Sequence, residues 1–177
     1  LEELVATFNQ ALAQLDQDLS QEGTQQLAFN ALSVPQVAAL LATGNAVIAL
    51  MSLMLGRYWQ AALYNPGGFG EEFRALSLPR AAVLIMAASA TALWWMGPEW
   101  RVWSAVAVLP LTVVGFALAH AYAAQTGKGV TWLTLIYVVW IVLDPAKWVW
   151  VVCVVVDAFV NFRAKWSTKT GTGSKDV

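Results

Sequence analysis

Residues 34–56 read VPQVAALLATGNAVIALMSLMLG, 23 positions without one charged side chain. An α-helix rises about 1.5 Å per residue, so about 20 mostly apolar residues cross the hydrocarbon of a bilayer. This stretch has that length, and residues 81–98 and 102–127 are likewise free of charge. Residues 129–143 and 148–156 are also uncharged and reach spanning length once their flanks are included. A buried helix in a soluble domain is usually shorter. Three to five such helices in 177 residues would leave almost nothing to face water. The expected fold class is therefore all-α: a polytopic transmembrane helical bundle of about five spans.

Composition agrees. Apolar residues make up 59% of the chain and charged residues 12%, against about 25% charged in an ordinary soluble domain. The net charge of −1 supplies no basic field for nucleic acid, so no nucleic-acid partner is expected. Cys153 is the single cysteine, which excludes an internal disulfide.

Outward from residues 34–56, the chain divides into three parts. Residues 1–33 carry five acids (Glu2, Glu3, Asp16, Asp18, Glu22) and no base. Leu4, Phe8, Leu12 and Leu15 recur there at three- and four-residue spacing, which predicts an N-terminal amphipathic helix outside the membrane that Gly23 ends. Residues 34–163 form the bundle, with spans at 34–61, 80–96, 102–124, 130–143 and 145–163. Asn65-Pro66-Gly67-Gly68 is a strong turn signal in loop 62–79, and residues 69–74 predict a short interfacial segment. Gly97-Pro98 stops the second span, and Pro110 predicts a kink in the third. Asp144-Pro145 predicts an N-cap followed by proline in the first helical position. The tail 164–177 is polar, basic and predicted to be disordered.

Five spans with residues 1–33 outside place Arg57, Arg74, Arg80, Lys128, Arg163, Lys165, Lys169 and Lys175 inside. Only Arg101 and Lys147 fall outside, a bias of eight against two that obeys the positive-inside rule. Trp94, Trp95, Trp100, Trp103, Trp148 and Trp150 then gather at the outer interface, with Trp59 and Trp166 near the inner one. Trp132 and Trp140 are read as packing between helices.

Ionisable groups at membrane depth mark candidate sites. His120 and Asp157 both fall in the inner half and approach each other if their helices are neighbours. Asp157 shares a helix face with Cys153 and Asn161 at four-residue spacing, and Asn45 and Ser52 form a similar stripe. These stripes are expected to face the interior. The functional reading of His120, Asp157, Asn161 and Asn45 is a cavity that binds a small solute or relays protons. The plainer reading is hydrogen bonding between helices. One His and one Cys form no metal-ligand cluster. No G-x-S-x-G, G-x-G-x-x-G or phosphate-loop pattern occurs, so neither an enzyme activity nor a cofactor is indicated. In the loop, Arg57, Arg74 and Arg80 are expected to meet lipid phosphates as an anchor at the inner surface, a docked partner, or the nearby Glu71 and Glu72.

The run Leu55-Gly56-Arg57-Tyr58-Trp59-Gln60-Ala61-Ala62-Leu63-Tyr64-Asn65-Pro66-Gly67-Gly68-Phe69, with Glu72-Phe73-Arg74-Ala75-Leu76 and Leu78-Pro79-Arg80 after it, resembles the YybS-like family. These are predicted bacterial multi-pass membrane proteins of undefined function. Asp157 followed by Phe162-Arg163 is similar to that family's closing pattern. The resemblance covers about residues 30–165 and is specific in these two stretches. It implies the bacterial inner membrane and further helices upstream, which fits a chain that starts at Leu1 rather than Met. The family is distantly similar to the substrate-binding subunits of energy-coupling-factor vitamin transporters, which implies a small-molecule site in the bundle. The expected partners are membrane lipid, a small solute, and other membrane subunits or a second copy. The alternative function is a non-catalytic interaction or scaffold subunit.

Overall fold

Long charge-free runs with few helix breakers become helices, and the breakers fall between them. The computed structural model describes residues 1–21, 31–127 and 129–163. The expectations for Glu22, Gly23, Lys128, Trp166 and the tail lie outside the described residues. In chain order the helices are α1 Glu2–Gln21, α2 Val34–Tyr64, α3 Gly68–Ala75, α4 Arg80–Trp95, α5 Pro98–Arg101, α6 Ser104–Thr126, α7 Gly129–Val142 and α8 Asp144–Val160. No strand occurs among the described residues.

Starts and stops have local causes. Pro35 sits in the first turn of α2, where its missing N–H has no helical acceptor to lose. The Ser33 N–H is taken up by Gln36 Oε1 at 2.9 Å. The α2 helix runs past Trp59 to Tyr64 before the Asn65-Pro66-Gly67-Gly68 turn. The start of α8 differs by one position from expectation. Leu143 is the N-cap and Asp144 is already helical. The end of α8 differs more: it stops at Val160, because Asn161 adopts a left-handed conformation (φ 50°). Asparagine tolerates that region better than most residues and substitutes for glycine as a helix stop.

α6 is the centre of the bundle, packing on α2, α3, α4, α5, α7 and α8. The core lies where α4, α6 and α8 meet: Val83, Leu111, Val114, Val151 and Val154, with Met86, Ala87 and Val108 against them. Gly115, Ala117, Ala119 and Ala123 keep α6 narrow, so its neighbours approach closely. Leu111 is fully buried. Leu111→Ala is expected to lower stability by about 2 kcal/mol, the low end for such a truncation. Lipid tails solvate the freed leucine in the unfolded reference state, which leaves mainly the cavity and lost contacts. Reversible unfolding in mixed micelles checks this.

α4 and α8 run antiparallel. Arg80 at the start of α4 meets Ala158 near the end of α8, and Trp94 near the end of α4 stacks edge-on against Trp148 near the start of α8 at 5.3 Å. One end of the bundle therefore gathers the start of α2, α5 and the start of α8. Gln36 Nε2 donates there to the Pro98 carbonyl (3.3 Å). Arg101 lies over the Trp94 ring and Lys147 over Trp140. The other end gathers the close of α2, α3, the start of α4 and the end of α8. α1 docks on the first end through Asn9, whose side-chain amide brackets Leu32: Nδ2 donates to the Leu32 carbonyl and Oδ1 accepts from its N–H (3.0 and 2.8 Å).

Large apolar side chains point outward along the helices, among them Ile48, Leu53, Ile85, Ile141 and Val142. Apolar surface this extensive suits lipid and not water. Among the described residues, two helices are long and apolar enough to cross a membrane, Val34–Tyr64 and the stretch Pro98–Thr126. They become three if α3 and α4, bent by 69°, form one broken span. The expected five are not all of spanning length: α4, α7 and α8 have 16, 14 and 17 residues. At 1.5 Å per residue these reach only about 21–26 Å.

Candidate functional site

The end of α8 carries the most concentrated polar chemistry at depth. Asp157 is 8% exposed. Its backbone carbonyl accepts from Asn161 N–H (2.8 Å), and its Oδ1 accepts from Phe162 N–H (2.9 Å). One residue thus satisfies two donors where the helix stops. A carboxylate in the last turn opposes the helix dipole, and two cations offset it. Arg163 Nη1 lies 4.0 Å from Asp157 Oδ2. Arg80 Nε donates to the Ala158 carbonyl (2.8 Å), and its guanidinium lies over the Phe159 ring.

These groups rim a crevice of about 520 Å³. The linker residue Ser77 and the α4 residue Arg80 form one side, and Asp157, Asn161 and Arg163 form the other. The floor is apolar, made by Val83, Val114 and Val154 of the core. Its volume, apolar floor and few polar groups are features it shares with small-molecule sites. A second cavity of about 350 Å³, mostly apolar, opens at the other end between Trp94, Trp140, Trp148 and α6.

The expected site residues part company here. Asp157, Asn161 and Arg80 come together; His120 and Asn45 do not join them. His120 Nδ1 pairs with the Phe116 carbonyl one turn earlier (2.8 Å), and its ring sits edge-on to Phe73 and Tyr137. α6 and α8 are neighbours, but the crevice meets α6 at Val114. His120, six residues on, projects about 240° further round the helix. Asn45 and Ser52 are exposed, against the expectation that their stripe faces inward. Asn45 Nδ2 donates to the Leu41 carbonyl of its own helix (2.9 Å), so α2 needs no neighbour to satisfy that donor. The Asp157 stripe also divides: Cys153 is exposed, and Asn161 is the helix stop. The sequence marks Arg163 as a topological charge and as part of the closing Phe162-Arg163 pattern, not as a site residue, and Ser77 carries no sequence signal.

The loop residues form a separate assembly at the same end. Arg57 holds Glu72 through both Nε and Nη2, with Nε to Oε2 at 2.7 Å, and so ties α2 to α3. Gly68 N–H donates to the Asn65 carbonyl (2.9 Å), and Gly67 has φ 90° and ψ −17°. This is the type II pattern, with Pro66 second and a left-handed glycine third. Gly67→Ala is expected to lose about 1 kcal/mol through backbone strain alone, seen as a lower unfolding midpoint. Tyr58 meets Phe69 edge-on, and Phe69 stacks on Phe73, which reaches His120. Trp59 and Tyr64 are exposed, and Arg74 is half-buried. No group of acids, His and Cys that could hold a metal occurs among the described residues.

Chiefly the hydrogen bond from Arg57, and also its charge, hold the exposed Glu72 carboxyl below its ordinary range. The tie is then fully present above the unfolded carboxylate value, near 4.3, and is lost as pH falls through the lower folded value. Acidification is expected to speed amide exchange in residues 68–75. Glu72→Gln should remove that step.

No family model matches the chain, and no curated protein or solved structure matches it, so the reading of the site rests on its own geometry.

Proposed function

We propose that this chain is a small-solute binding or transport component of a membrane, with the crevice at the close of α8 as its site. One observation carries the reading. Ser77, Arg80, Asp157, Asn161 and Arg163, drawn from three segments, converge on a single cavity over an apolar floor. The charge bias puts this end at the cytoplasmic face and residues 1–33 outside. In the same reading α4, α7 and α8 join α2 and α6 as five membrane helices, the shorter ones reaching the surfaces through their flanks. The resemblance to YybS-like bacterial inner-membrane proteins at residues 55–80 and 157–163 supports this placement. The test uses the protein in proteoliposomes with a panel of neutral, cationic and anionic solutes. At least one solute should bind or enter saturably, and Ser77→Trp, which fills the crevice, should abolish it. A panel with no saturable member defeats the proposal.

A second reading, an interaction subunit, has its own support. Only 11% of the α2 span window is buried, against 44% for the span containing α6. Asn45, exposed at mid-helix, keeps its Oδ1 acceptor beyond the bond that its amide donates to Leu41, and a neighbouring helix would satisfy that oxygen. Cysteine introduced at position 45 should cross-link to a neighbour in native membranes. A chain that stays a lone monomer there counts against this reading.

A further inference from the structure

We infer that the crevice takes a phosphate-bearing anion, an inference that rests on the solute-binding reading above. The charge inventory points this way. Two guanidinium groups, Arg80 and Arg163, and one carboxylate, Asp157, line the cavity, which leaves one positive charge in excess. The carboxylate is already engaged, its Oδ1 with Phe162 N–H. Its Oδ2 lies 4.0 Å from Arg163 Nη1, beyond hydrogen-bond length, so it balances charge without saturating the guanidinium.

Arg163 carries the second observation. Its Nε and Nη2 are buried and have no acceptor among the described residues. Buried cationic donors without acceptors are unfavourable, so the site favours an occupant that supplies them. The two atoms form one edge of the guanidinium, the pair that meets two oxygens at once. The chain shows the same edge in use elsewhere, where Arg57 holds both Glu72 oxygens through Nε and Nη2. An anion held between Arg163 and Arg80 would supply those acceptors. Ser77 lines the linker side, and a phosphate has enough oxygens to meet both guanidinium groups at once. Among the described residues, Lys147 is the sole charged side chain lining the second cavity.

Phosphate at this depth has two sources, a soluble phosphate ester and a phospholipid headgroup. The experiment separates them. The full chain is placed in nanodiscs of phosphatidylcholine alone, and binding of inorganic phosphate and glycerol 3-phosphate is titrated. In parallel, protein from phosphatidylglycerol nanodiscs is washed with detergent and weighed by native mass spectrometry. A soluble ligand gives saturable titration that weakens tenfold or more in Arg163→Gln. A headgroup ligand gives retained phosphatidylglycerol that Arg163→Gln releases. If Arg163→Gln does not insert, Arg163→Lys makes the same test, because it keeps the charge and removes the paired edge. No binding in either arm, or binding that both variants leave unchanged, overturns the anion assignment. A neutral or cationic solute that still binds in the proteoliposome panel leaves the broader solute-binding reading standing.

Discussion

Asp157→Ala is expected to destabilise the bundle by about 3 kcal/mol, the scale for removing one partner of a buried charge pair. The alanine leaves two groups without their partner. Phe162 N–H loses the acceptor at the helix stop, and Arg163 loses its counter-charge 4.0 Å away. Asp157→Asn separates the two effects. It keeps an acceptor for Phe162 and removes only the charge, and should lose about 1 kcal/mol. Reversible unfolding of both variants in mixed micelles gives the two values. An alanine variant within about 0.5 kcal/mol of the parent, the range of an unremarkable surface change, would show that the helix end does not depend on this carboxylate.

Gly115→Ala should have an effect of similar size with the opposite physical origin. A β-carbon at position 115 would lie 2.2 Å from Trp150 Nε1 and 2.4 Å from its Cδ1. Neither the indole nor α6 can yield easily, because Trp150 also packs on the Phe116 ring at 5.4 Å. Overpacking of this kind destabilises by about 1–3 kcal/mol, and a larger side chain by more. The diagnostic result is recovery. Trp150→Val alone should destabilise by leaving a cavity, and adding Gly115→Ala to it should then be nearly neutral. Such a coupling in a double-mutant cycle identifies direct contact between the two positions. Additive losses would show that α6 and α8 are held apart by something else.

These two sites mark what a sequence reveals and what it conceals. Charge-free runs locate helices well, because hydrocarbon tolerates few charges and helices satisfy their own backbone. The starts of α2 and α4 fall where expected, and Asn65-Pro66-Gly67-Gly68 forms the turn its residues demand. Which face looks inward is another matter. In a soluble helix the polar stripe points out and the apolar stripe in. Here both faces are apolar, so periodicity carries little orientation, and the isolated polar residues had to serve instead. They misled at Asn45, whose amide bonds to its own helix, and at Asn161, whose place on a stripe hid its role as a helix stop. The link between Asn9 and Leu32, the fit of Gly115 under Trp150 and the meeting of Arg80 with Ala158 join residues far apart in the chain. Spacing along one helix cannot report them. Of the candidate site, Asp157 and Arg80 were visible as charges, but their convergence needed the antiparallel arrangement of α4 and α8.

The unequal helix lengths bear on the surrounding bilayer. The charge-free part of α2, residues 34–56, is 23 residues long, about 34 Å at 1.5 Å per residue, against a hydrocarbon thickness of about 30 Å. α7 and α8 are shorter. A long helix relieves hydrophobic mismatch by tilting, and a short one by thinning the lipid beside it. In the proposed five-helix arrangement the chain would meet both conditions on different flanks, tilting along α2 and thinning the lipid along α7. Its tilt, and with it the depth of the crevice, should then follow acyl-chain length. Membrane thickness becomes a physical variable to which this bundle responds.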